Sequence, residues 1–326
     1  MKHLIMTLSV LALSLPAWSG SAAEAEFQNL VSSRQPAALE ALARSRLATD
    51  PLEEAALWYW GEQDVDDPRV RELLRAPVAE CLSRRPRSAR CHHLMGLLLT
   101  MDMMEGGLSS LFDLGKVRGH FDTAVKLEPG NFAMRRDLVG YYLEVPGLLG
   151  GSVRRARELA ADFTRLDSPR ASLLEAAISI HEREFDQARR QLDAVPAGED
   201  IVLRRDLQSL QAEYGQGLLE DGDAVRAREW FDKQVSLDAM APEMHVGLAR
   251  ALAKLGESAA AARAYAQALS LNPRLHERFR MAEMLDASGA TALAIAAFRA
   301  SLDDPAERVH AAAARKRLAE LGIHSP

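Results

Sequence analysis

A spacing of 34 residues constrains this chain more than anything else in it. Ala227 and Ala261 are 34 apart, and so are Leu218 and Leu252. Around them, Tyr214-Gly215-x-x-Leu218, Ala227 and Phe231 are echoed by Leu248-Ala249-x-x-Leu252, Ala261, Tyr265, Ala268 and Pro273. A repeat of that length is one supersecondary unit that cannot bury its apolar face alone, so copies must stack. The register extends both ways. Ala282, Leu285, Ala294 and Phe298 form a later unit, and Ala176, Ser179, Ala188 and Leu192 an earlier one. Further upstream, Met95-Gly96-x-x-Leu99 leads to Phe121, Ala124 and Pro129, and Leu138-Val139-x-x-Tyr142 leads to Ala156, Ala160 and Phe163. Trp58 and Pro86 frame a degenerate first copy. Prolines 86, 129 and 273 fall where a second helix must stop.

This pattern of a large residue, Leu-Gly-x-x-Tyr, Ala, Phe or Tyr, Ala and Pro resembles the tetratricopeptide repeat. The resemblance covers roughly residues 52–321. It implies an all-α, right-handed α-solenoid of antiparallel helix pairs with a C-terminal capping helix. The expected plan is a signal peptide over 1–23, an N-terminal helical cap over 24–51, about seven repeats over 52–305 and a capping helix over 306–326. Gly96 and Phe121 are 25 apart, where the consensus has 16, so about nine residues are inserted near 100–119. About five more are inserted near 144–152. Phe121 to Ala160 is also similar to a group of bacterial tetratricopeptide proteins, through Phe-x-x-Ala-Val-x-Leu-x-Pro and the run Tyr142 to Ser152.

The first residues read as a cleavable leader. Lys2 precedes a mostly apolar stretch of 14 residues, Leu4 to Ala17, which contains the helix-breaking Pro16 and is followed by the small residues Ser21-Ala22-Ala23. That stretch is short for a bilayer span, and no later one is longer, so a periplasmic or secreted chain without a membrane span is expected. Net charge is -6 with both signs interspersed, which offers no basic stripe for nucleic acid.

Two cysteines, Cys81 and Cys91, flank the turn at Pro86 on consecutive antiparallel helices, close enough for a disulfide if the compartment is oxidising. Cys91-His92-His93 with Met95, Met101, Met103 and Met104 is a soft-ligand cluster, but neighbouring histidines on a helix diverge and Met is common core filling, so no metal is expected. Pro146 to Ser152 lacks the Lys-Ser/Thr of a phosphate loop. No nucleophile, base and orienting group can be assembled, so neither catalysis nor a cofactor is expected.

The resemblance implies that residues on the first helix of each pair line a concave groove. Those positions include Arg90, His93, Leu97, Arg136, Leu173, Ala177, Ile180, Gln216 and Arg250. An apolar middle with spaced arginines suits an amphipathic or extended peptide whose carboxylates pair with Arg. The carboxylate clamp of some tetratricopeptide proteins is missing, because its positions carry His93, Arg136, Leu97 and Gly140. The expectation is a scaffold that holds a protein or peptide, assisting an envelope, secretion or polysaccharide-export assembly. The rival expectation is a metal or small-ligand binder that uses the two insertions.

Overall fold

The computed structural model describes residues 22–106, 113–196, 198, 200–272, 275 and 277–323. The expected leader lies outside them, except for Ala22 and Ala23 at the head of the first helix. An N-terminal hairpin, α1 (Ala22–Ser32) and α2 (Pro36–Thr49), precedes seven helix pairs among the described residues. These are α3 (Glu54–Asp64) with α4 (Pro68–Arg84), α5 (Ala89–Gly106) with α6 (Leu114–Leu127), α7 (Phe132–Glu144) with α8 (Val153–Phe163), and α9 (Ser168–His181) with α10 (Phe185–Ala194). The series continues with α11 (Ile201–Glu220) and α12 (Ala224–Leu237), α13 (Pro242–Lys254) and α14 (Ser258–Leu271), then α15 (Arg278–Ala287) and α16 (Thr291–Asp303). The last helix, α17 (Ala311–Glu320), is shorter than the expected cap, because Pro305–His310 forms a 3₁₀ segment in front of it.

The repeat residues do what their sizes allow. A Cβ built on Gly215 would lie 2.3 Å from Phe231, and one on Gly247 would lie 2.1 Å from the same ring. Phe231 is therefore wedged between the first helix of its own unit and that of the next. Gly96 stands in the same relation to Phe121, at 2.5 Å. Burying each such ring contributes roughly 1.5–3 kcal/mol, and only glycine opposite leaves room for it. The Phe231 wedge joins the apolar centre of its unit to that of the next, within a cluster that runs from Phe132 to Ala251.

Capping residues set the helix starts. Asp67, Asn131, Ser152, Asp167, Asp200 and Asp223 each accept a backbone N–H from the first turn that follows. The insertion near 146 folds on itself. Gly150 takes φ 113°, Gly151 N–H donates to Pro146 O at 3.3 Å, and Ser152 N–H donates to Tyr142 O at 2.8 Å. Its polar backbone is thus used internally. Of the other insertion, residues 107–112 lie outside the described set. Its described part lengthens α5 to 18 residues.

The stack curls back on itself. Arg34, in the turn of the N-terminal hairpin, donates to Met240 O at 2.6 Å and Gln208 Oε1 at 2.8 Å, and approaches Asp238 Oδ2 at 3.3 Å. Arg34 adopts φ 53°, a left-handed conformation that costs a non-glycine residue about 1 kcal/mol. The α1 helix also touches α11. The first units and the α11–α13 region therefore face each other across the concave side.

Candidate functional site

The concave side is built from the first helix of each pair, and its centre is a polar network rather than an apolar strip. Trp58 on α3 donates from Nε1 to His93 Nδ1 at 2.9 Å. Indole nitrogen can only donate, so Nδ1 must be the bare nitrogen and the imidazole proton sits on Nε2. That proton points at Asp137 Oδ2, 2.8 Å away. Arg136 closes the network, with Nε 2.9 Å from Asp137 Oδ1 and Nη2 3.0 Å from Glu62 Oε1. One link therefore runs from α3 through α5 to α7 and back to α3.

Electrostatics follow from that geometry. Burial alone would raise the Asp137 carboxyl, but Arg136 and then His93 outweigh it and hold it well below the carboxylate range. Asp137 in turn, with Glu62, holds the Arg136 guanidinium above its ordinary value. Glu62, His93 and Asp137 bring three potential metal-ligand atoms within 4.8 Å of one another. They are a poor metal site, because both imidazole nitrogens are hydrogen-bonded and Arg136 holds both carboxylates. A divalent ion would have to displace Trp58 and sit beside a guanidinium.

Of the residues expected along the groove, Arg90, Leu97, Arg136, Ala177, Ile180, Gln216 and Arg250 are partly exposed. His93 is fully buried inside the network, and Leu173 is fully buried in the core. Leu173 is covered because α11 runs for 20 residues and its extra first turns lie over α9. Arg170 marks that contact, donating to Asp206 at 3.0 Å as well as to Asp167 at 2.8 Å. The arginines are not waiting for a partner's carboxylates. Arg90 pairs with Glu24, Arg136 with Glu62 and Asp137, and Arg250 with Glu277. The expected Arg–carboxylate recognition is thus already used within the chain. Sequence spacing could place these arginines on the groove side. It could not show that each meets an acid from another helix.

The Cys81 and Cys91 sulfurs are bonded, with Cα atoms 6.3 Å apart. That removes the thiolate from the soft-ligand cluster. The two histidines beside it diverge: His92 Nδ1 meets His120 Nδ1 at 2.9 Å, while His93 faces Trp58 and Asp137. On the opposite, second-helix side, a cavity of about 120 Å³ is lined by Tyr214, Trp230 and cations from α10 and α12. Its cations already have acids: Arg226 lies 2.8 Å from Asp186, and Lys233 lies 3.6 Å from Asp193.

No family model matches the sequence, and no curated protein matches it either. Solved structures do. Yeast Tom70 superposes with a TM-score of 0.59 at 15% identity, over 93% of this chain and 66% of that one. The chain has the tetratricopeptide-repeat fold. The APC/C hetero-tetramer Cut9-Hcn1 gives a TM-score of 0.50 at 15% identity, over 90% of this chain and 55% of that one. A tetratricopeptide repeat protein from Parabacteroides merdae gives 0.48 at 14% identity, over 82% and 97%. This tetratricopeptide solenoid spans less than two thirds of the Tom70 and Cut9-Hcn1 chains. No described helix is long and apolar enough to cross a membrane.

Proposed function

We propose that the mature chain is an exported scaffold that holds a protein or peptide partner in its concave groove and assists assembly of an envelope, secretion or polysaccharide-export complex. The observation that carries this reading is the groove itself. Among the described residues seven first helices stack side by side, and the N-terminal hairpin reaches the α11–α13 region. Such a surface suits an elongated macromolecular partner better than a small ligand. A leader-like N-terminus and a disulfide both fit an oxidising compartment outside the cytoplasm. The fold's use as a protein-holding surface elsewhere supports the partner class, while the partner itself stays open.

Arg136 is an unsuitable test position, since reversing its charge would break the buried Glu62–Asp137 link. Glu213 and Glu243 are exposed on the first helices α11 and α13 and make no ion pair among the described residues. The test is affinity capture of the tagged mature chain from native envelope extract, read by mass spectrometry, beside the Glu213→Lys/Glu243→Lys double variant. A protein recovered reproducibly with the wild type and lost with the variant is the expected result. No protein above background, or one retained equally by both, would refute the groove as the binding face.

A further inference from the structure

The concave side already holds a helix, the chain's own α1. An end cap needs only to cover the first unit, and α2 does that. Its Leu39 and Ala43 are buried, and Arg44 lies over the Trp60 ring at 4.8 Å. The α1 helix goes further. Besides α2, it lies against α3 and α11, the first helices of units far apart in the stack, and it pairs with Arg90 on α5. All three are concave-side helices, so α1 crosses the groove instead of merely closing its end.

Its seat has two anchors and a catch. Glu24 pairs with Arg90, and both side chains are largely buried. Arg90 also lies over the Trp58 ring at 5.5 Å, which ties the seat to the central network. One turn further, Phe27 stacks on Tyr59, with ring centres 5.3 Å apart and planes within 6° of parallel. Phe27 is fully buried by this contact and the helices around it. Glu24, Phe27 and Val31 follow one another at steps of three and four residues, so they share one face of the helix. Ala25, Glu26 and Asn29 on the other side are exposed. The catch is Arg34, through its bonds to Met240 and Gln208.

A helix of 11 residues is marginal on its own, so the order of α1 comes from this seat. Another helix that offers a carboxylate and, three residues later, an aromatic ring makes the same contacts. The exchange leaves the Arg90 charge paired and the Tyr59 ring covered, so it exposes no orphaned group. The tethered α1 is nonetheless a strong competitor, because a turn of three residues joins it to α2 and keeps its local concentration high. An incoming helix meets only the fraction of molecules whose α1 is open, and its apparent affinity scales with that fraction.

We propose that the partner docks as an amphipathic helix in the place of α1, with a carboxylate on Arg90 and an aromatic ring on Tyr59, and that α1 guards this seat until displaced. The inference rests on the groove reading and names the partner's chemistry and the control of its access. Its test is fluorescence anisotropy of the full mature chain with a fluorescein-labelled peptide that has the sequence of residues 22–32. Arg34 is a surface residue, so Arg34→Ala frees the catch and leaves the core intact. It should tighten apparent peptide binding about tenfold over the wild type, as the open fraction rises. A Phe27→Ala peptide should bind about tenfold more weakly than the parent. An Arg90→Glu chain should prefer a Glu24→Lys peptide to the parent, a reversal that mere loosening of α1 does not produce. Equal binding by wild type and Arg34→Ala, no loss with the Phe27→Ala peptide, or no reversal at Arg90 would each overturn the proposal. An Arg34→Ala dimer in light scattering that excludes the peptide would make the occupant a second copy of this chain, and would overturn it too. If the envelope partner is lost with Glu213→Lys/Glu243→Lys but captured no better by Arg34→Ala, the groove reading stands and the α1 seat is wrong. If every chain fails to capture a partner, both fall.

Discussion

Substituting Ala for Gly247 should destabilise the fold, although Ala is the better helix former. In an open helix the exchange gains about 1 kcal/mol. At Gly247, on α13, the new Cβ would meet Phe231 at 2.1, 2.2 and 2.6 Å from Cε1, Cζ and Cδ1. Real Cβ atoms do not come so near, so the ring or the helix must move by more than 1 Å, roughly, for ordinary carbon contact near 3.5 Å. Phe231 is 1% exposed and is held from its other side by Gly215, where a Cβ would lie 2.3 Å away. It has no free direction. Overpacking of this kind costs about 1–3 kcal/mol against a helix gain of about 1 kcal/mol, and with the ring held on both sides the upper end applies, so the net loss is up to about 2 kcal/mol. Gly140 on α7 supplies the opposite sign, because a Cβ there meets nothing within 4 Å. Gly140→Ala should therefore stabilise by up to about 1 kcal/mol. Urea unfolding followed by far-UV circular dichroism reads both, with Trp230 fluorescence as a local probe of the Phe231 unit. Equal shifts of the two midpoints in the same direction would refute the wedge argument.

Asp137 should set part of the acid limb of stability. Its carboxyl is held low in the folded chain, so its contribution is complete above the unfolded carboxylate pKa of about 3.9 and is lost as pH falls through the folded value. The gap in urea midpoint between wild type and Asp137→Asn should therefore narrow from pH 7 to pH 3; a widening gap would contradict the network. Reducing Cys81–Cys91, which closes a loop with a sequence separation of 10, should cost about 2.5 kcal/mol on loop entropy, read as a lower urea midpoint with reductant present. Arg34→Ala should release the N-terminal hairpin, seen as about tenfold faster amide exchange in α1 with little change in α15 and α16. Unchanged protection in α1 would mean that Arg34 holds nothing.

The repeat was legible because its physics is local. Gly215, Ala227 and Phe231 meet within one unit, so a fixed spacing records the contact directly. The cysteines were legible for the same reason, as neighbours across a single turn. The polar network was not, because Trp58, His93 and Asp137 come from three units and their side chains meet only after stacking. Arg136 and Arg250 could be placed on the groove side by phase, but their acids, Glu62 and Glu277, lie 74 and 27 residues away. Leu173 was misplaced because the length of α11, two helices later in the chain, decides what covers it. The curl that brings Arg34 to Asp238 is a sum of small rotations between units, and no single residue spells it.

That last contact changes how the molecule should behave as a material. A stack of repeats ordinarily resembles a spring whose turns touch only their neighbours, so either end can melt or stretch without the other. Arg34 ties residues 206 positions apart. A tether of that span makes the spring into a loop with a latch: pulling on the N-terminus loads the latch before any helix pair separates. Closing the latch must come late in folding, because it pays for the longest loop in the chain and can form only once the intervening units are stacked. Fraying at α17 is local, whereas opening at Arg34 loosens the first five units together.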